Sequence, residues 1–160
     1  MATTVVACGL RHDRATIAHV GDSRCYLIRG GHAHTLTRDH TLANEQFRVG
    51  VFASSQVSEG VTRHMLSRSL GSELFVSVEV SEHRVIPGDV LLLCSDGLHG
   101  AVAAADLAAA AADADLQRSA ERLVRLANER DGSDNVSLQL IRIRTVERIG
   151  MYRGRPYKLP

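Results

Sequence analysis

The chain has no tryptophan, and aromatic residues fill only 4% of its 160 positions. A platform that binds nucleic acid by base stacking needs aromatic rings, so that class is poorly supported. An excess of one charge is also lacking. The formal net charge is +1, so the chain as a whole is not tuned for a polyanion. No apolar run approaches the roughly 20 residues that span a bilayer. The opening "MATTVVACGL" has neither a basic leader nor the apolar length of a signal peptide. These absences lead to the expectation of a cytoplasmic protein with no membrane partner. There are three cysteines, Cys8, Cys25 and Cys94, each inside an apolar, strand-like run and none in CxxC spacing. Buried free thiols are expected. The phosphate-cradling GxxxxGK[ST] loop, the dinucleotide GxGxxG and the zinc-binding HExxH are absent, and "GDSRC" is not a GxSxG nucleophile elbow.

What is present is an ordinary globular composition, 44% hydrophobic and 23% charged, in a chain long enough for one domain with a real core. The first third reads as short strands. These are Thr3 to Leu10, "ATIAHV" from Ala15 to Val20, "CYLIR" from Cys25 to Arg29 and a returning "HAHTLT" after the Gly30-Gly31 pair, together an antiparallel meander. Helices are expected over Asp39 to Gly50, with Asp39 or Thr41 as N-cap, and over Thr62 to Gly71. A polar loop or flap joins them. Strands return at Val76 to Val80 and at "VLLLCS", whose unbroken apolar run marks a central strand covered on both faces. Two helices follow, over His99 to Asp115 and Leu116 to Arg130, the second with Ala120, Leu123, Leu126 and Ala127 on one face. "NVSLQLIRIR" is a last strand with Val136, Leu138 and Leu140 facing one way and Ile141 and Ile143 the other. This order favours an α+β fold with sheets packed on each other and helices outside. Residues 1–145 form the domain, and 146–160 read as a basic tail or linker. Its "RGRP" is a four-residue match to a minor-groove hook, too short to set against a solvated basic tail.

Three acids share one setting. Asp22 follows a strand in "HVGDSR", Asp96 follows a strand in "LCSDGL", and Asp134 precedes one in "RDGSDNVS". Each has glycine, serine or asparagine beside it. If the strands are neighbours, three carboxylates converge at one end of a sheet, an oxygen donor set suited to Mg²⁺ or Mn²⁺. The competing reading is local. Such residues are also turn formers, and Asp96 could cap the helix after it. His32 and His34 share one face of a strand and are expected on an exposed hairpin rather than at a metal, since a pair needs further ligands.

"HVGDSRCYLIRGG", "LTRDHT", "LSRSLG", "GDVLLLCSDGL" and "GSDNVS" stand in the order and rough spacing of the PPM family, the bacterial metal-dependent protein phosphatases of type 2C. From about Thr3 to Ile143 the chain resembles that family. The resemblance implies an antiparallel β-sandwich flanked by helices. It also implies two Mn²⁺ or Mg²⁺ ions, a third in some relatives, and a metal-activated water that hydrolyses phosphoserine or phosphothreonine. It assigns Asp96 and Asp134 to the paired metals and Asp22 to the third, with the backbone of Gly97 and Asn135 beside them. Asp39 to Gly71 would correspond to the flap that shapes substrate access. A phosphoprotein substrate and a cognate serine/threonine kinase are the partners it implies.

Two motifs of the family are not found: an acidic "NQD"-like strand with its phosphate-binding arginine, and "DGMGG", whose Asp bridges both metals. The resemblance therefore covers the C-terminal two-thirds of the domain. With less negative charge between two dications, the expectation is weak metal binding, little turnover by this chain alone, and a sheet edge open to self-association. The alternative is a non-catalytic phosphatase-like module that binds a phosphoprotein or a regulatory partner.

Overall fold

The computed structural model describes residues 1–48, 65–72, 74–147 and 149–159. Two antiparallel sheets form its frame. One contains β1 (Val5–Arg11), β2 (Arg14–Val20) and β5 (Glu79–Arg84) in the order β1-β2-β5. The other contains β3 (Arg24–Arg29), β4 (His32–Thr35), β6 (Val90–Cys94) and β7 (Leu138–Arg142) in the order β4-β3-β6-β7. The expected meander is thus split. β1 pairs with β2 and β3 with β4, but β2 and β3 lie in different sheets. The loop between them carries the chain from one sheet to the other.

The strand β6 explains the layering. All five of its residues are buried. Leu92 and Cys94 face a core shared with the helices, while Leu91 and Leu93 face the core between the sheets, with Cys25 and Leu27 of the same sheet and Ala15, Ile17, Val85 and Ile143. A strand with no polar face belongs in the middle of a sheet covered on both sides, and β3 and β7 flank it as antiparallel partners. The two faces expected of the last strand both pack into a core: Leu138 and Leu140 join the helix-side core, Ile141 and Ile143 the sheet-side core.

The helices are α1 (Leu42–Arg48), α2 (Asp96–His99), α3 (Ala104–Ala111) and α4 (Leu116–Arg130). The last matches the expected span, begins at an Asp115 N-cap that accepts from the Gln117 and Arg118 amides, and buries Leu123 and Ala127. The alanine-rich stretch holds a single shorter helix, α3, and the one-turn helix α2 ends at His99, where the longer helix was expected to begin. Arg142 closes the far end of α3 by donating to the carbonyls of Ala111, Asp113 and Ala114, groups that no helical amide can reach.

Other boundaries also move. The helix α1 starts after Thr41, whose hydroxyl accepts from the Asn44 amide. The loop or flap and the first part of the helix expected over Thr62 to Gly71 lie outside the described residues. Residues 65–71 are not helical: Leu66 bridges Thr41 and Leu70 bridges Thr3, so backbone pairing with distant segments overrides local preference. The strand expected at Val76 to Val80 is β5, three residues later, because its register is set by β2, from His19↔Glu79 to Arg14↔Arg84. Residues 149–158, read as tail, form a hairpin of β8 (Ile149–Tyr152) and β9 (Arg155–Lys158), with Arg153 and Gly154 of "RGRP" at its turn.

Cys25 and Cys94 are buried, Cys8 is half-buried, and all are free. Burial pushes the Cys25 and Cys94 thiols up to about 12, so they are inert at neutral pH. His32 and His34 are exposed on β4.

Candidate functional site

Asp22 sits in the crossing loop between the sheets. The chain leaves β2 at Gly21, whose φ of +106° suits glycine; a Cβ there would also lie 2.3 Å from Thr4 Cγ2. Asp96 opens α2 directly after β6. Ser95, not Asp96, is the residue before the helix, and its hydroxyl is engaged elsewhere, accepting from the Ser137 amide at 3.0 Å. Asp134 lies in the loop that leads into β7, and its Oδ1 accepts from the Asn135 amide at 2.7 Å. The antiparallel pairing of β3, β6 and β7 brings these three strand-end positions to the same end of the sandwich.

They line one cleft of about 360 Å³, together with Arg24, Asp39, Gly97, His99 and Asp131. Asp39, one of the two N-cap candidates, thus serves the cleft, while Thr41 stands directly before α1; Arg24, His99 and Asp131 join the cleft without a sequence signal drawn on above. Asp131 stands in the same Gly/Ser/Asn setting as Asp134, a signal that could have found it. The two residues named for their backbone also meet. A Cβ on Gly97 would be 2.5 Å from the Asn135 carbonyl oxygen, so the first turn of α2 rests directly on the Asp134–Asn135 backbone.

Charge in the cleft is only partly balanced. Arg24 grips Asp39 through two hydrogen bonds of 2.8 and 2.7 Å and donates to the Tyr26 hydroxyl at 3.0 Å. Burial works against its charge, but the bonds to Asp39 and Tyr26 outweigh this and hold its pKa above the ordinary value. Arg24, the arginine of the cleft, is thereby taken up by Asp39, and among the described residues Asp22, Asp96, Asp131 and Asp134 form no ion pair of their own. Burial, and next the Asp96 carboxylate, push the Asp22 carboxyl up. His99 donates from Nε2 to the Asp22 carbonyl at 2.9 Å, and burial holds its pKa down. The donor set is oxygen only and anionic, the chemistry that fits Mg²⁺ or Mn²⁺. The carboxylates do not converge on one point: among the described residues, the one group of three potential ligands lying within 4.8 Å of each other is His19, His40 and Glu79.

The model of the family described as protein phosphatase 2C matches residues 1–136. The chain belongs to the protein phosphatase 2C family. Protein phosphatase PhpP of Streptococcus pneumoniae is 32% identical over 142 residues, 88% of this chain and 58% of that relative. The serine/threonine phosphatase of S. agalactiae superimposes with a TM-score of 0.83 at 33% identity, over 88% of this chain and 58% of the other. The catalytic domain of the serine/threonine phosphatase PstP, solved with two manganese ions, gives a TM-score of 0.71 at 31% identity, over 88% and 57%. The chain thus spans under two thirds of these type 2C phosphatases. Among the described residues no helix is long and apolar enough to cross a membrane.

Proposed function

We propose that this chain carries part of the active site of a metal-dependent protein serine/threonine phosphatase, with Mn²⁺ or Mg²⁺ held by Asp96, Asp134 and Asp22. The observation that carries the reading is that these three aspartates, from three separate loops, line one cleft. Membership of the type 2C family and the manganese-bound PstP relative support it.

When bound, paired divalent cations in such a cleft supply a lowered water pKa and neutralisation of phosphate charge. The residues of the chain supply the frame. Asp96 and Asp134 stand on abutting backbones fixed by the Gly97–Asn135 contact. Asp22 stands on the third loop, tied to α2 by His99. Arg24, engaged by Asp39, tempers the negative potential without becoming a free phosphate ligand. The substrates are phosphoserine or phosphothreonine in proteins.

The test is hydrolysis of a phosphothreonine peptide by the 160-residue chain with added Mn²⁺, beside Asp96→Ala. Turnover that needs Mn²⁺ and disappears in the variant supports the phosphatase reading, at a rate below that of a full-length relative. Peptide binding without turnover supports the phosphatase-like binding module. Neither binding nor turnover would remove both.

A further inference from the structure

The His19, His40 and Glu79 cluster is the tightest gathering of potential ligands among the described residues, yet its lone pairs are already in use. The Gly21 amide donates to His40 Nδ1 at 3.2 Å. That nitrogen is therefore the acceptor, and the proton of the neutral ring sits on Nε2, which points at Glu79 Oε2 at 3.2 Å. Binding a cation at Nε2 would need an imidazolate. His19 Nε2 lies 2.8 Å from the Arg38 carbonyl, which can only accept, so that nitrogen also carries its proton. The two rings are stacked, 4.6 Å apart at 15°, whereas ligand lone pairs lie in the ring planes. The Arg68 guanidinium stands 3.5 Å from His40 Nε2, adding positive charge where a cation would have to sit. Only His19 Nδ1 and the Glu79 carboxylate keep free lone pairs, too few for a site.

What the cluster does hold is the loop that bears Asp22. His40 is 3% exposed. Its own amide donates to the Gly21 carbonyl at 2.9 Å, so the two residues are joined twice, by ring and by backbone. Just before His40 in the same segment, Asp39 holds Arg24, and the Thr37 hydroxyl accepts from the Cys25 amide at 3.0 Å. Residues 37–40 thus brace the crossing loop from Gly21 to Cys25 along its length. We propose that His40 is a positioning residue for the metal cleft, fixing Gly21 and through it Asp22, and that His19, His40 and Glu79 form a hydrogen-bonded brace rather than a cation site. The inference rests on the reading of the cleft as a metal centre.

The test compares His40→Asn with His40→Gln in the full chain. Asparagine places its carbonyl oxygen where Nδ1 stands and keeps the acceptor for the Gly21 amide. Glutamine, nearer to histidine in length, reaches toward the Nε2 position and loses it. Two readouts are taken: hydrogen exchange of the Gly21 amide without metal, and Mn²⁺ affinity by electron paramagnetic resonance of the free ion. His40→Gln should speed Gly21 exchange and weaken Mn²⁺ binding by about 10-fold, the scale of lost supporting contacts around a metal. His40→Asn should retain most of both. Equal effects of the two variants, or a glutamine variant that matches wild type, would overturn the proposal. So would Mn²⁺ that remains bound after Asp96→Asn and Asp134→Asn but is lost in His40→Gln, since that places the ion at the histidines. Absence of Mn²⁺ binding by the wild-type chain would instead sink the metal-centre reading, while Gly21 exchange would still decide on the brace.

Discussion

The α-carbon of Gly97 packs against the carbonyl of Asn135 so closely that an added Cβ would lie 2.5 Å from the oxygen. This contact sets the spacing between Asp96, one residue before Gly97, and Asp134, one residue before Asn135. Gly97→Ala must push the start of α2 off the loop. The expected cost is about 1–3 kcal/mol of stability, the range for forced overpacking, with weaker Mn²⁺ binding in the folded variant. Urea unfolding and a Mn²⁺ titration check both. A variant with wild-type stability and affinity would show that the two loops are not held by this contact.

Among the described residues, Arg24 and Asp39 form the one ion pair in the cleft. Its side chains are 29% and 12% exposed, so solvent screens it only in part. Arg24→Ala leaves a carboxylate uncompensated beside four others. A loss of about 1.5–3 kcal/mol is expected, the range for hydrogen bonds to charged groups. In a double-mutant cycle with Asp39→Ala the coupling should be clearly favourable; additive losses would mean that the two side chains act independently.

A second pair sets an acid limit. Asp89 is 1% exposed and accepts from Arg29 at 2.8 and 2.7 Å and from the Ile86 amide at 2.8 Å. Burial alone would raise its carboxyl, but these bonds outweigh burial and hold it below the usual carboxylate range. A depressed folded pKa means stability that is present above the unfolded value, about 3.9, and lost as pH falls through the lower folded value. Melting temperature should therefore fall on acidification below about pH 4, and Asp89→Asn should flatten that fall while lowering stability at neutral pH. An unchanged acid slope in the variant would assign the acid limit to other groups.

The helix α4 anchors the helix layer through Leu123, fully buried beneath it. Leu123→Ala should cost about 2–5 kcal/mol, read by denaturant midpoint at unchanged slope. A loss under about 1 kcal/mol would mean that the site collapses around the cavity.

These contacts also show which features the sequence displays. The unbroken apolar run of β6 and the 3.6-residue pattern of α4 are legible because burial on both faces, or on one helical face, leaves a periodic trace. Boundaries set by distant partners leave none. The start of β5 is fixed by its register with His19 at the end of β2. Leu66 and Leu70 are held in bridges to Thr41 and Thr3, out of a helix. The two ends of α3, capped by Ala103 and Ala112, hide among alanines that favour a helix. For the cleft, the Gly/Ser/Asn settings of Asp22, Asp96 and Asp134 mark loop ends, but only the pairing of β3, β6 and β7 brings those ends together. Asp39 and Arg24 were invisible as a pair because nothing local links a residue at a strand start to one in a later loop.

The most direct test of the metal centre is Mn²⁺ binding to the wild-type chain beside Asp96→Asn and Asp134→Asn, each checked for an unchanged fold by circular dichroism. Measurable binding by wild type, weakened at least about 10-fold in each folded variant, is the expected result. Mn²⁺ affinity that is the same in all three proteins would contradict it.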